Sequence, residues 1–215
     1  MVHSSALAAN PRSRSRWAAS KGHGERAVRS VCPGATIVRP AHIFGPEDRF
    51  LNMFARMHQL LPRVPLVDGG ERRTQPLWVG DFALALKEIT LSEDPEVCLG
   101  QTYDLAGPDE YTYREIVEYV FETVRAVNHD VANVSPVFAE AVGKALSMLP
   151  NPMFTEDTFQ RMMEDCILDP TADTKRLHDL RIEATSMEFP GFSFLHGYRS
   201  GSHFLDVHES GHSPS

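Results

Sequence analysis

Three short stretches near the start of the chain hold residue types that could do chemistry. The first is Ser4-Ser5, followed by Ala6-Leu7-Ala8-Ala9-Asn10. The second is Trp17-Ala18-Ala19-Ser20-Lys21, with Gly24-Glu25 just behind it. The third is Val38-Arg39-Pro40-Ala41-His42-Ile43-Phe44-Gly45-Pro46. Trp17 and Lys21 are four apart, so on a helix they share one face. A lysine there offers a charged donor, and a serine hydroxyl can both donate and accept. An indole only donates and does not ionise, so Trp17 cannot exchange a proton with a substrate.

The elements that must carry these residues are legible from local pattern. Residues 17–32 read as a helix stopped by Pro33-Gly34, and residues 35–40 as a short buried strand. Helix then strand across a two-residue break is half of a β-α-β unit in a parallel sheet. Ile43 to Pro46 is a loop, and Pro46-Glu47-Asp48 suits the start of a helix over residues 47–60. Asp68-Gly69-Gly70 is a turn, 74–79 a strand, 80–91 a helix and 101–106 another strand. Thr112 with Glu115 forms a capping box for a helix to about Val127. Further helices are expected over 137–149 and from Thr155 to about Cys166, with a short one over 174–180. Gly, Ser and His dominate after Pro190. The expected division is 1–128 for an α/β part with interleaved segments of a second lobe, 129–190 for a helical lobe and 191–215 for a flexible tail.

Composition bounds the answer without deciding it. The chain has 215 residues, 42% hydrophobic and 23% charged, which is ordinary globular composition. A net charge of −8 argues against a nucleic-acid partner. Residues 1–50 nevertheless carry +5 and the remainder −13. Residues 1–24 contain no acid, which also suits a transit segment. Cys32, Cys98 and Cys166 are far apart and read as free thiols. The histidines His196, His203, His208 and His212 lack ligand spacing, so no metal site is expected.

The order of the three stretches resembles the extended short-chain dehydrogenase/reductases. In that family a strand ends in Ser-Ser/Thr, a helix carries Tyr-x-x-x-Lys and then Gly-x-x-Glu, and the next strand ends in Arg-Pro-x-x-x-Phe/Tyr-Gly-Pro. A later Val-x-Asp is matched by Val79-Gly80-Asp81. The resemblance implies an α/β, Rossmann-like, NAD(P)-binding fold with a helical substrate-side lobe. It implies that Ser4, Lys21, Pro40, Ala41, His42 and Ile43 contact a nicotinamide cofactor. Ser5 and Trp17 take the positions of catalytic residues. Because the tyrosine position is Trp17, catalysis is expected to be lost while nucleotide contact remains.

A catalytically silent branch of that family binds NADPH and sits in mitochondrial respiratory complex I as an accessory subunit. It is similar to this chain in Ser5 to Asn10, in Ile37 to Asn52 with its Glu-Asp-Arg-Phe-Leu-Asn run, in Arg73 to Val79 and in Asp179 to Thr185. The resemblance implies a structural role among other complex I subunits, peripheral on the matrix side of the inner membrane. The other reading is an active reductase or epimerase in which another group replaces the tyrosine. Family members open with strand, Gly-x-x-Gly-x-x-Gly and helix, which bind the pyrophosphate. No such run occurs here, so the first β-α-β units are expected to be missing, or to lie on a separate chain.

Lys21 on a solvated face, Trp17 in a core, and His42 as a loop residue are the plainer alternatives. Arg72 and Arg73 after the Gly-Gly turn could meet a phosphate or solvent. Phe159, Met162 and Met163 read as core or interface.

Overall fold

The computed structural model describes residues 1–126, 130–148 and 155–199. Its centre is a three-stranded parallel sheet. Strand β1 (Val2–Ser4) pairs with β2 (Thr36–Pro40), which pairs with β7 (Thr102–Leu105). Helix α1 (Arg16–Val31) makes the crossover from β1 to β2. The apolar run Ile37-Val38 is fully buried, as a parallel strand covered on both faces requires.

Beyond β2 the chain enters β3 (Ile43–Phe44), α2 (Leu51–Leu60) and β4 (Val64–Val67). Short strands β5 (Arg73–Thr74) and β6 (Leu77–Trp78) follow, then α3 (Val79–Leu91) and the single turn α4 (Pro95–Cys98). After β7 come β8 (Tyr111–Thr112), α5 (Tyr113–Val124) and β9 (Val131–Val134). Helices α6 (Pro136–Leu146), α7 (Glu156–Met162) and α8 (Glu188–Leu195) complete the order. The Thr112–Glu115 capping box forms as expected, with both reciprocal bonds present.

Several boundaries differ from the expectation for physical reasons. The helix expected over 47–60 begins at residue 51. The Asp48 carboxylate accepts the N–H groups of Gly45, Phe50 and Asn52 at 2.9–3.0 Å, which stabilises a turn in place of a first helical turn. The strand expected over 74–79 splits, because Thr74 pairs with Tyr111 while Leu77 pairs with Ile43. The helix expected to reach Cys166 ends at Met162, and Cys166 forms an isolated bridge to Thr74. Residues 1–24 supply β1 and the first half of α1, so the transit composition belongs to the fold.

The described residues of the 129–190 segment are not packed apart from the rest. β9 adds to β4 in parallel over four residue pairs. One hydrophobic cluster joins Leu51, Phe54, Ile116 and Phe121 to Ala139, Phe159, Met162 and Leu195. Residues 166–186 run back along the sheet. Lys175 exchanges backbone bonds with Thr102 and Asp104, and buried Asp81 accepts from the Thr185 N–H at 2.7 Å and its hydroxyl at 3.0 Å. Residues 191–199, expected as tail, are helical through Leu195, and that side chain is fully buried. The rest of the expected tail, with His203, His208 and His212, lies outside the described residues.

Candidate functional site

The carboxyl ends of β1 and β2 open onto a cavity of about 340 Å³. In a parallel sheet the strand ends leave backbone polar groups and loop residues free to meet a ligand, so this is the expected side for a site. Ser4, Ser5 and Ala6 leave β1 into it, and Pro40, Ala41, His42 and Ile43 leave β2 into it. Trp17 and Lys21 reach it from α1. All eight residues singled out from sequence, the six expected contacts together with Ser5 and Trp17, therefore line one cavity. Arg72 and Arg73 do not line it; Arg73 pairs with Glu110 at 2.9 Å.

Two features hold α1 in place. Glu25, buried on the inner face of α1, takes a two-pronged contact from Arg39 on β2, with Nε–Oε1 at 2.8 Å and Nη2–Oε2 at 2.6 Å. The motif residues Glu25 and Arg39 are thus a clamp of helix on sheet. Burial, the largest single influence, would raise the Glu25 pKa, but the hydrogen bonds from Arg39 and Ser5 and the charges of Arg39 and Arg29 together outweigh it and hold the carboxyl below its ordinary value. Gly22 supplies the second feature. A Cβ there would lie 2.5 Å from both Cδ and N of Pro11, so only glycine lets the helix approach the 5–15 loop this closely.

Lys21 Nζ donates to the Ser4 carbonyl at 3.4 Å, a long bond that leaves most of the ammonium's capacity open. Ser5 Oγ is buried beside the Glu25 carboxylate, whose pKa it helps to lower, but lies outside ordinary hydrogen-bond geometry to it. A buried hydroxyl so loosely engaged at a cavity wall has capacity for a ligand oxygen or nitrogen. Trp17 is 37% exposed, so it is not a core aromatic. Its ring is close to two cations, with Arg161 5.0 Å and Lys21 6.0 Å from the centroid.

His42 Nδ1 lies 2.8 Å from Thr74 Oγ1, and its ring stacks on Phe50 at 4.8 Å. Desolvation, and then the Arg161 charge, push its pKa down to about 4, so it is neutral at pH 7. Burial raises the pKa of the Tyr113 phenol well above its ordinary value. The Cys166 thiol, buried beside the cavity, is pushed up to about 12 and is unreactive at neutral pH.

The structure adds Arg49, Phe50, Met53, Tyr113, Thr158, Arg161 and Met162 to the lining. Arg49 and Phe50 directly follow the Phe-Gly-Pro stretch, and that adjacency could have flagged them. Residues 158–162 carry no such signal. They arrive because Asp157 on α7 accepts from Ser15 Oγ at 3.0 Å and the Trp17 N–H at 3.2 Å, docking α7 on the start of α1.

The fold and the site define a Rossmann-like protein of the extended short-chain dehydrogenase/reductase type. The chain belongs to the family described as RmlD substrate binding domain, whose model matches residues 7–162. Among curated proteins it is 34% identical over 202 residues to mitochondrial NADH dehydrogenase [ubiquinone] 1 alpha subcomplex subunit 9 of Mus musculus, covering 93% of this chain and 52% of that protein. It is 32% identical over 207 residues to the mitochondrial NADH-ubiquinone oxidoreductase 40 kDa subunit of Neurospora crassa, covering 94% and 52%. The chain thus spans about half the length of the curated relatives it matches. Among solved structures it resembles a UDP-glucose 4-epimerase of Thermotoga maritima with UDP-glucose, at TM-score 0.61 and 14% identity, over 92% of this chain and 62% of that one. A dTDP-glucose 4,6-dehydratase of Bacillus anthracis in complex with NAD matches at TM-score 0.57 and 13% identity, over 96% and 63%. These two likenesses concern the fold.

Proposed function

We propose that this chain is part of a catalytically silent accessory subunit of mitochondrial complex I, in which the cavity receives the nicotinamide end of NADP(H). The observation that carries the reading is Trp17. It lines the cavity one helical turn from Lys21, where a proton-exchanging phenol would be needed for turnover. Its indole cannot take that role. The curated relatives, subunits of the respiratory NADH dehydrogenase by name, support the placement.

A nicotinamide cofactor fits the residues present. Lys21 has donor capacity for ribose hydroxyls, Ser5 Oγ is held only loosely, by Glu25, and the 40–43 backbone borders the same space. When bound, such a cofactor supplies hydride chemistry. In this chain the surrounding residues bind and orient without moving a proton: His42 is neutral and committed to Thr74, and the Tyr113 phenol is held protonated by burial. Binding of the nucleotide would stabilise the folded state by mass action. Its pyrophosphate would be held by protein outside this chain, either a preceding segment or a separate chain. The subunit would lie against other complex I subunits, peripheral on the matrix side of the inner membrane. No helix among the described residues is long and apolar enough to cross a membrane.

The test is to tag the native protein and resolve mitochondrial membranes on a native gel. Co-migration with NADH:ubiquinone oxidoreductase activity is expected, and migration apart from it overturns the placement. Silence is tested separately, by incubating the purified protein with NADPH and nucleotide sugars or long-chain carbonyls. Turnover that persists in Trp17→Phe would show that another group does the proton transfer.

A further inference from the structure

The cavity is larger in chemical variety than a nicotinamide needs. Its wall away from Ser4 and Lys21 is built by Phe50, Met53, Tyr113 and Met162. Phe50, Tyr113 and Met162 are each at most 6% exposed and belong to the main hydrophobic cluster. Of the neutral polar groups nearby, two are already committed. Thr158 Oγ1 is engaged with Thr155, and His42 Nδ1 with Thr74. This end therefore offers few partners for the hydroxyls of a sugar, whose burial without hydrogen bonds is costly.

Its charge is one-sided. Lys21, Arg49 and Arg161 line the cavity, and no carboxylate lines it among the described residues. Arg161 Nε is buried and donates no hydrogen bond. Asp157 Oδ2 lies 3.8 Å from it, too far for one, and Oδ1 is occupied by Ser15 and Trp17. The guanidinium is instead fixed over the Trp17 ring. Arg161 is thus ion-paired with Asp157 but keeps a buried N–H that no protein atom accepts, and such a cation at an apolar wall favours an anion that brings its own apolar body.

We infer that this end of the cavity holds an amphiphilic anion, with its carboxylate or phosphate head on Arg161 and Arg49 and its hydrocarbon against Phe50, Met53, Tyr113 and Met162. Trp17 then has a positive role. In the place of a proton-exchanging phenol it presents a flat face that orients Arg161 toward the ligand head. The inference goes beyond nucleotide binding and does not depend on it.

The experiment is equilibrium dialysis of the native protein, with whatever chains accompany it, against four probes: decanoate, decyl phosphate, decanol and inorganic phosphate. Saturable binding of decanoate or decyl phosphate is expected, with decanol and inorganic phosphate each at least about tenfold weaker, the worth of one charge-assisted contact. Arg161→Gln should weaken the anionic probes by about the same factor, and Arg161→Lys should recover part of it. If Arg161→Gln disturbs folding through Trp17, Arg49→Gln, at an exposed position, carries the same expectation. Equal binding of decanol and decanoate, equal binding of inorganic and decyl phosphate, no binding of either anionic probe, or indifference of folded variants to loss of the arginines overturns the inference. Lys21→Met should weaken NADPH and spare decanoate, so failure of the nucleotide reading is seen separately.

Discussion

At the scale of single residues, burial holds two titratable groups at the cavity in their neutral forms, His42 and Tyr113. His42 shows this most directly. Its imidazole has a pKa of about 4 in the fold, below the roughly 6.5 of an unfolded chain. The unfolded state thus takes up a proton first as pH falls. The stability contributed by neutral His42 is complete above pH ~6.5 and is lost as pH falls toward about 4. Chemical denaturation between pH 7 and 4.5 should show this slope, and His42→Asn should flatten it. An unchanged slope in the variant would assign the acid sensitivity elsewhere. Lys21 gives a second expectation. Lys21→Met should lose most of the thermal stabilisation conferred by NADPH and leave the melting temperature without nucleotide nearly unchanged, because the ammonium makes only one long bond in the protein.

At the scale of elements, α1 is the part on which the site depends. It is fixed to β2 by Glu25 and Arg39 and to α7 by Asp157. Arg39→Met would leave the Glu25 carboxylate buried without its partner, at a cost on the order of 3 kcal/mol in urea unfolding. The double variant Glu25→Met, Arg39→Met should recover part of that, since two apolar side chains leave no unpaired charge. The folded Glu25 pKa is depressed, so this stability is present above the ordinary glutamate value and is lost as pH falls below it. Gly22→Ala should cost about 1–3 kcal/mol by overpacking, because the new methyl meets the Pro11 ring and backbone nitrogen. It should also weaken ligand binding, because α1 must lift away from the loop after β1.

At the scale of the whole molecule, the two edges of the central sheet differ. The outer edge of β7 is covered at Lys175, whose N–H and carbonyl bond Thr102 and Asp104. The outer edge of β1 has no strand partner among the described residues. An uncovered edge templates pairing with another chain. The isolated 215-residue chain is therefore expected to self-associate with rising concentration in light scattering. The Ser5 N–H faces β2, so by alternation the Val2 N–H faces outward. Val2→Pro removes that donor and should reduce the association. A chain that stays monomeric at all concentrations would mean the edge is blocked some other way.

What the sequence determined by itself was local. The helix of residues 16–31, the buried strand behind it, the capping box at Thr112 and Glu115 and the α3 run all rest on periodicity, caps and breakers within one element. The motif spacing was also enough to gather Ser4, Lys21 and Pro40 to Ile43, because a β-α-β unit fixes where its strand ends lie. What only the tertiary structure decided was non-local. β9 is strand because β4, more than sixty residues earlier, offers an edge to it. Residues 191–195 are helix because Leu195 finds a buried place, although their glycine and serine content read as tail. Arg161 joins the cavity because Asp157 caps a helix that begins with Ser15 and Trp17. Such contacts leave no period in the sequence, since each residue's partner is set by the closure of the whole chain and not by its neighbours. The sequence therefore placed Trp17 on the helix face of Lys21, and the fold placed Arg161 over its ring.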